Sequence, residues 1–277
     1  MQDLIINFTP TGMVPTKDMT KHVPISAAEI IEDVHEAYEI GITMVHLHAR
    51  DENGVPTYKS AIYRDILEGI KKYAPDLVTC CSLSGRNFGA FEQRSEVLEL
   101  LPDLGSLTLS SLNFPRAASI NAPNMIQQLA AKMQELGIKP ELEVFDLGMI
   151  NYAKYLQKKE LLNGPHYINI ILGNIAGMQT NITTIGAALS QLPENSYWSL
   201  GGIGNQQLKA NSIAIALGGG VRVGVEDNIY FDKKNTKLAT NADLIKRIHE
   251  LAAVHERAVM KPADLGNKGF YNQQARG

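Results

Sequence analysis

The chain has 277 residues and a formal net charge of -3, and 44% of its residues are hydrophobic. This is enough apolar material for one large core, and the absence of a basic excess argues against nucleic-acid binding. The apolar runs are too short to cross a bilayer, and the N-terminal segment with its acidic Asp3 is not typical of a signal peptide. We therefore expect a cytoplasmic protein with neither a nucleic-acid nor a membrane partner.

Short β-rich runs alternate with amphipathic stretches from the first residues onward. Ser26 and Glu29 form a capping-box pattern at the start of the first predicted helix. Hydrophobic periodicity predicts strands at 4–8, 44–48, 77–82, 106–110, 141–145, 167–172, 197–200 and 222–225. It predicts helices at 27–39, 61–73, 91–101, 123–136, 152–161, 182–192, 206–217 and 242–257.

Eight such units in this length predict an α/β fold, a (β/α)₈ TIM barrel, with residues 1–277 forming a single catalytic domain. A doubly wound open sheet has the same alternation, but no GxGxxG pattern follows the first strand. The tail from about residue 262 is polar and Gly-rich. We expect it to be either an arm on a neighbouring subunit or a mobile end.

The two cysteines, Cys80 and Cys81, are adjacent in the third predicted strand. Adjacent cysteines rarely form a sound disulfide with each other, and the chain has no CxxC spacing. We predict two buried thiols, which agrees with a reducing cytoplasm.

Two histidines end the second predicted strand. In TIM barrels the active site lies at the carboxyl ends of the strands. His46 and His48 are two residues apart, so strand alternation directs both imidazoles to the same side. They can share one metal ion, although two hydrogen-bonded core histidines would give the same pattern.

The eighth predicted strand supplies a candidate third ligand. Alternation places Arg222, Gly224 and Glu226 on one face, so Glu226 can reach the same metal across the mouth. A His₂Glu set leaves positions open for substrate, as in catalytic zinc sites. A solvated loop start at Glu226 and Asp227, and a structural salt bridge for Arg222, are the alternatives.

Small polar residues end the third and fourth predicted strands. Ser82 and Ser84 can donate to substrate oxygens, and Gly85 would allow close backbone approach. Ser106 and Thr108 follow at period 2 on the next strand. For each hydroxyl, a hydrogen bond to neighbouring backbone is an equally valid interpretation.

Two further strand ends carry weaker signals. Glu143 in the fifth strand faces inward, and we expect it to pair with Arg222 or with a ligand imidazole. The Gly-rich loop 201–205 precedes the seventh helix, where backbone N–H groups favour phosphate oxygens. Gly-rich turns also arise for steric reasons alone.

These residues together resemble the β-keto acid cleavage enzyme family, to which the 3-keto-5-aminohexanoate cleavage enzymes belong. The matching stretches are 11–17, 45–51, 106–114, 142–146, 201–204 and 222–228, and they run through nearly the whole chain. The HxHxRD motif combined with RVGxED at this separation is specific, although neither half alone would be.

The resemblance implies a zinc-dependent barrel, usually a homotetramer, with one Zn²⁺ per chain. Such enzymes condense a β-keto acid with acetyl-CoA and release acetoacetate and a new acyl-CoA. His46, His48 and Glu226 match the zinc ligands, Asp227 matches the catalytic acid–base group, and Arg222 matches its partner. Ser82 matches a substrate-binding serine, and a family threonine falls at Ser106 or Thr108.

One position in the first loop departs from the family pattern. Where the aminohexanoate enzyme has a glutamate that holds the substrate ammonium group, this chain has Val14, between Met13 and Pro15. An apolar loop cannot neutralise an ammonium group, so we expect a substrate side chain that is uncharged or apolar.

Two other functions fit the same residues. A metal-dependent aldolase or hydrolase would use the same three ligands. A non-catalytic metal-binding barrel would keep the fold without needing the Arg222 and Asp227 pair.

Overall fold

The computed structural model describes residues 2–276, and it confirms the closed parallel barrel. Eight strands follow one another around the barrel in chain order, and β1 pairs with β8 to close it. The strands are β1 Ile6–Phe8, β2 Met44–Leu47, β3 Val78–Cys81, β4 Leu104–Thr108, β5 Lys139–Val144, β6 His166–Leu172, β7 Ser196–Gly202 and β8 Gly220–Val223.

A helix follows each strand and packs on the outside of the barrel. The helices are α1 Ala27–Ile40, α2 Ser60–Tyr73, α3 Phe91–Ser95, α4 Pro123–Glu135, α5 Leu147–Lys158, α6 Ile182–Leu189, α7 Gln207–Leu217 and α8 Asn241–Val254. Short 3₁₀ turns at Glu96–Leu100 and Gly204–Gln206 extend α3 and precede α7.

Local sequence explains where several of these helices begin. The predicted capping box is present at α1, where Ser26 Oγ accepts from the Glu29 backbone N–H at 3.2 Å. Helix α5 begins five residues earlier than predicted, because Asp146 caps it by accepting from the Met149 N–H at 3.0 Å. Asp146 is therefore occupied at a helix terminus.

Two small hairpins interrupt the regular alternation, and the sequence did not predict them. Ala49–Arg50 pairs with Pro56–Thr57 after β2, and Leu112–Asn113 pairs with Ala118–Ser119 after β4. Both follow the carboxyl end of a barrel strand, so they extend the wall of the mouth.

Apolar side chains form two clusters. The larger cluster lies between strands and helices, and Ile6, Val45 and Leu107 belong to it. The smaller cluster includes Met44 and Val78, which alternate with residues of the first cluster and therefore face the barrel interior.

The C-terminal tail corrects a prediction. It is not a mobile end: up to Arg276 it folds as α9 Pro262–Leu265, a π-helical turn Gly266–Phe270 and α10 Gln273–Arg276. Phe270 is fully buried in the interior cluster. The Asn272 N–H and the Arg276 guanidinium both reach Asp103, which precedes β4, at 3.0 and 3.2 Å. The tail therefore seals the amino-terminal end of this chain's own barrel.

Within residues 2–276, none of the helices combines the length and the apolar character that a membrane span requires.

Candidate active site and metal centre

The two histidines meet at the mouth, as predicted. Strand β2 ends at Leu47, and His48 links it to the hairpin that follows. His46 and His48 are both buried, and their Nε2 atoms lie 3.2 Å apart. Both imidazoles therefore direct a nitrogen to the same point.

Glu226 completes this group. The prediction relied on strand alternation that continues to Glu226, but the strand ends before this residue. Strand β8 ends at Val223, and Glu226 lies in the turn that follows. Its Oε1 is 3.3 Å from His48 Nε2. Alternation alone therefore did not place Glu226; the turn at Gly224 carries it back over the barrel.

The first loop makes room for this carboxylate. Gly12 has a φ of +64°, and a Cβ at this position would lie 2.4 Å from Glu226 Cγ. A side chain here would therefore displace the carboxylate, so the TPTG segment after β1 packs directly against the candidate ligand.

A metal ion fits the three side chains. One ligand atom each from His46, His48 and Glu226 lie within 4.8 Å of one another. Glu226 Oε2 is buried and has no hydrogen-bond partner. A buried carboxylate oxygen without a partner is costly, and a divalent cation would satisfy it.

A second carboxylate supports His46 from below. Glu141 on β5 is fully buried, and its Oε2 is 2.5 Å from His46 Nδ1. Its other oxygen accepts from Asn7 and Asn169 at 2.6 and 3.0 Å, and the Cys80 thiol donates to Oε2 at 3.1 Å. This arrangement fixes the ring so that Nε2 faces the candidate metal position.

The charge on this pair follows from its contacts. Burial would lower the pKa of His46, but the Glu141 carboxylate outweighs it and raises that pKa to about 9. Burial would likewise raise the pKa of Glu141, yet His46 holds it at about 2. For His48, burial dominates and lowers the pKa.

The carboxylate that contacts the imidazole is Glu141, whereas the sequence predicted Glu143 for this role. The Glu143 carboxylate accepts from Thr108 Oγ1 at 2.6 Å and pairs neither with Arg222 nor with an imidazole among the described residues. Both glutamates face inward on β5, so facing direction could not separate them.

Arg222 joins the two acidic residues of the turn. Its Nε donates to Asp227 Oδ2 at 2.8 Å, and its Nη2 donates to Glu226 Oε1 at 2.6 Å. Burial opposes the charge of Arg222, but the two carboxylates raise its pKa well above the usual value. Burial would raise the pKa of Glu226, yet Arg222 and the histidines bring it well below normal. The pKa of Asp227 is raised, by burial first and by Glu226.

The predicted substrate residues divide into two groups. Ser82, Ser84, Thr108 and Val14 line the cavity above the candidate metal position. Ser106 Oγ instead accepts from the Leu83 N–H at 3.1 Å, below this cavity's lining.

Gly85 also has a packing role. A Cβ at this position would lie 2.4 Å from the Ile120 carbonyl oxygen, so its close approach is to backbone.

The Gly-rich loop before α7 forms hydrogen bonds within the protein. The Ile203 and Gly204 N–H groups donate to Leu172 O and Asp227 O at 2.9 and 2.7 Å. A Cβ on Gly202 would lie 2.5 Å from Gln206 O, so close packing explains this glycine. These two amides are therefore not free for a phosphate.

Arg50 of the HxHxRD motif clamps the first loop. Its Nη2 donates to the Gly12 and Pro15 carbonyls, both at 2.8 Å, and its Nη1 donates to Gly54 O at 2.9 Å. The residues between them, Met13 and Val14, project into the cavity.

The cavity at the mouth has a volume of about 560 Å³, which suits a small-molecule ligand. His48, Arg222, Glu226 and Asp227 lie in its wall with Glu143. The remaining walls are largely apolar and include Met13, Val14, Met19, Phe114, Pro115, Phe145, Ile171, Ile175, Ile203 and Ile229.

The sequence is similar to known proteins over nearly its whole length. The chain matches the family model described as beta-keto acid cleavage enzyme over residues 3–267. It is 36% identical over 261 residues to the 3-oxoadipate:acetyl-CoA acetyltransferase of Cupriavidus necator. This alignment covers 93% of this chain and 91% of that protein. It is 33% identical over 263 residues to a 3-keto-5-aminohexanoate cleavage enzyme of Fusobacterium nucleatum. This alignment covers 95% of this chain and 96% of that protein.

A solved structure shows the same fold. The binary complex of ObcA with oxaloacetate superposes with a TM-score of 0.77 at 19% identity, and the match covers 91% of this chain and 68% of that chain. The family model and the two relatives extend over nearly all of the sequence. The chain therefore belongs to the β-keto acid cleavage enzyme family and is an enzyme of acyl transfer.

Proposed function

We propose that the protein is a zinc-dependent β-keto acid cleavage enzyme. It condenses a β-keto acid with acetyl-CoA and releases acetoacetate and a new acyl-CoA. One observation carries this proposal: a His₂Glu set with an unpartnered carboxylate oxygen lies beside the Arg222 and Asp227 pair in a cavity of about 560 Å³. Both relatives named above act, by their names, on β-keto acids.

The metal has a defined role in this proposal. Zn²⁺ held by His46, His48 and Glu226 would polarise the keto and carboxylate oxygens of the substrate and make its C2 protons more acidic. The open coordination positions left by three protein ligands suit this role. One ion per chain is expected.

Asp227 is the proposed general base. Its carboxylate lies in the cavity wall, and Arg222 fixes its orientation through a 2.8 Å hydrogen bond. Ser82 and Ser84 can donate to substrate oxygens from the opposite wall, whereas the Thr108 hydroxyl donates to Glu143.

The bonds and the proton balance without any further reactant. Asp227 removes a C2 proton, the C2 carbanion attacks the acetyl carbonyl carbon, and CoA thiolate leaves. The thiolate then adds to the original keto carbon, the bond between that carbon and C2 breaks, and the protonated Asp227 returns its proton to C2 to give acetoacetate. The acyl group of the keto acid becomes the new thioester.

An isotope experiment tests the exchange. With acetyl-CoA labelled in its acetyl carbons, all label released in product is expected in acetoacetate, and the new acyl-CoA is expected to be unlabelled. Cleavage at the same rate without a CoA compound would establish the hydrolase, and cleavage without thioester formation would establish the aldolase. A protein with no turnover and no bound metal would be the non-catalytic barrel.

The expected assembly and compartment belong to the same proposal. Family resemblance implies a homotetramer, and the two buried free thiols Cys80 and Cys81 suit the reducing cytoplasm.

A further inference from the structure

Arg86 is a cation in the cavity that the proposed mechanism does not use. It follows β3, and its guanidinium carbon lies 3.8 Å above the centre of the Phe114 ring, in the hairpin after β4. Phe114 in turn packs edge-on against Phe145, with ring centres 5.7 Å apart. Stacking of this kind holds a guanidinium plane in one orientation.

This guanidinium has no hydrogen-bond partner among the residues that the structure describes. Its Nε is buried without a hydrogen-bond acceptor, and Arg86 forms no ion pair among residues 2–276. Burial lowers the pKa of Arg86, and only the more distant charges of Glu226, Glu143 and Asp227 oppose this. A half-buried cation without a hydrogen-bonded anion is costly.

The other buried arginines near the mouth each donate hydrogen bonds within the protein. Arg222 pairs with Glu226 and Asp227, and Arg50 donates to three backbone carbonyls. Arg94 donates to the Leu83 carbonyl and to Asn121 Oδ1, both at 2.8 Å. Arg86 differs from these three because its guanidinium donates no hydrogen bond to any residue in the described range 2–276.

Arg86 lies at a different part of the barrel mouth from Arg222, Glu226 and Asp227. Arg222, Glu226 and Asp227 follow β8, whereas Arg86 follows β3, three strands further round. The candidate ligand His48 after β2 and the apolar Met13 and Val14 of the first loop lie between these groups in the cavity wall. A short methylene chain would fit this wall.

We propose that Arg86 binds a second, distal carboxylate, so that the preferred substrate is a β-keto dicarboxylic acid and the new thioester keeps a free carboxylate. The inference rests on the proposed function. A planar guanidinium recognises a carboxylate through two parallel hydrogen bonds. The apolar Val14 and the unpaired Arg86 both disfavour an ammonium substrate. Arg86 replaces the expectation of an uncharged or apolar side chain with one whose methylene chain ends in a carboxylate.

Two substrates that differ at one end provide the test. 3-Oxoadipate and 3-oxohexanoate have the same carbon skeleton, with a terminal carboxylate in one and a methyl group in the other. The wild-type enzyme is expected to prefer 3-oxoadipate by about 10–100-fold in kcat/KM, the range of a charged hydrogen-bonded contact. Arg86→Gln is expected to abolish this preference through KM, with 3-oxohexanoate turnover retained.

A neighbouring arginine gives a matched control. Arg116 is exposed at the rim of the same cavity, and Arg116→Gln removes the same charge. This variant is expected to leave the ratio between the two acids unchanged. Arg86→Lys keeps the charge without the planar fork and is expected to retain only part of the preference.

Other results would overturn the inference. If the wild-type enzyme does not discriminate between the acids, or if Arg86→Gln impairs both equally, Arg86 does not read the distal group. Calorimetric binding of each acid without acetyl-CoA separates the two proposals. A binding preference that Arg86→Gln removes would support Arg86 recognition even if the exchange reaction failed, and equal binding of both acids would reject it even if the exchange occurred.

Discussion

The amino-terminal end of the barrel interior is filled mainly with apolar side chains and its buried Asp103 is paired, whereas the carboxyl end places charged groups around a cavity. At the amino-terminal end, Phe270 lies among Met44, Val78 and Tyr167, and Tyr167 donates its hydroxyl to Ser199 at 2.7 Å. At the carboxyl end, polar atoms are buried without partners, among them Glu226 Oε2, Arg222 Nη1, Arg86 Nε, Thr9 Oγ1 and Thr11 Oγ1.

The contrast separates two tasks within one barrel. Groups that are satisfied by the protein itself stabilise the fold, while groups left unsatisfied are those that a ligand can satisfy. Changes at the carboxyl end should therefore alter chemistry more than stability, and changes at the amino-terminal end should do the opposite. The predictions below test each half of this statement.

The largest effect is expected at Asp227. Asp227→Asn keeps the size of the side chain and removes its basicity, so we expect turnover to fall by about 10²–10⁴-fold. Metal content is expected to be retained. Exchange of the substrate's C2 protons with solvent deuterium, measured without acetyl-CoA, isolates the first proton transfer and is expected to be lost.

Asp232 gives a control for the Asp227 experiment. It is a loop carboxylate that accepts from the Thr236 and Lys237 N–H groups at 2.9 and 2.6 Å, outside the cavity lining. Asp232→Asn is expected to exchange C2 protons normally. Wild-type exchange in Asp227→Asn would mean that another group removes the proton.

At the opposite end, Phe270→Ala should lower the free energy of unfolding by about 3–5 kcal/mol. Its ring is fully buried and packs edge-on against Tyr197, with ring centres 5.5 Å apart. Urea denaturation measures the loss. Phe270→Leu preserves most of the volume and is expected to cost less than about 1.5 kcal/mol. Reduced metal affinity in a folded Phe270→Ala protein would contradict the separation of the two ends.

The smallest of these effects concerns Glu141, which lies between the two ends. Glu141→Gln removes the charge that orients His46, and we expect a metal affinity lower by about 10–100-fold. Competition with a chelator measures this affinity. Glu143→Gln is the matched control, because Glu143 lies on the same face of β5 but contacts Thr108 rather than an imidazole. Equal losses in the two variants would show that His46 is not oriented through Glu141.

Periodicity was sufficient to predict the barrel and to bring His46 and His48 together. It placed several strands too close to the carboxyl end, however: β4 was expected at 106–110 and is Leu104–Thr108, and β8 was expected at 222–225 and ends at Val223. Polar residues beyond these strands continue the alternating pattern without continuing the ladder. Glu226 therefore reaches the two histidines through the turn after β8 and not through strand alternation.

The sequence could not predict how deep in the barrel each inward-facing side chain lies. Alternation puts Glu141 and Glu143 on the same side of β5, and the stagger between neighbouring strands decides which one reaches His46. That stagger pairs Ser106 with Glu141 and Thr108 with Glu143. The prediction of a mobile tail was wrong for a related reason. The composition of the tail is polar, but its few apolar residues, above all Phe270, pack against a cluster assembled from distant strands.

The clamp that Arg50 forms on the first loop has a consequence for how this enzyme can diversify. Both anchor points, the Gly12 and Pro15 carbonyls, are backbone atoms, so the course of the loop does not depend on the side chains at 13 and 14. Those two side chains face the substrate cavity, while Gly12 is fixed against Glu226. Substitutions at 13 and 14 can therefore exchange one keto acid for another and leave the metal ligand in place, which makes this pair the natural target for directed evolution of specificity.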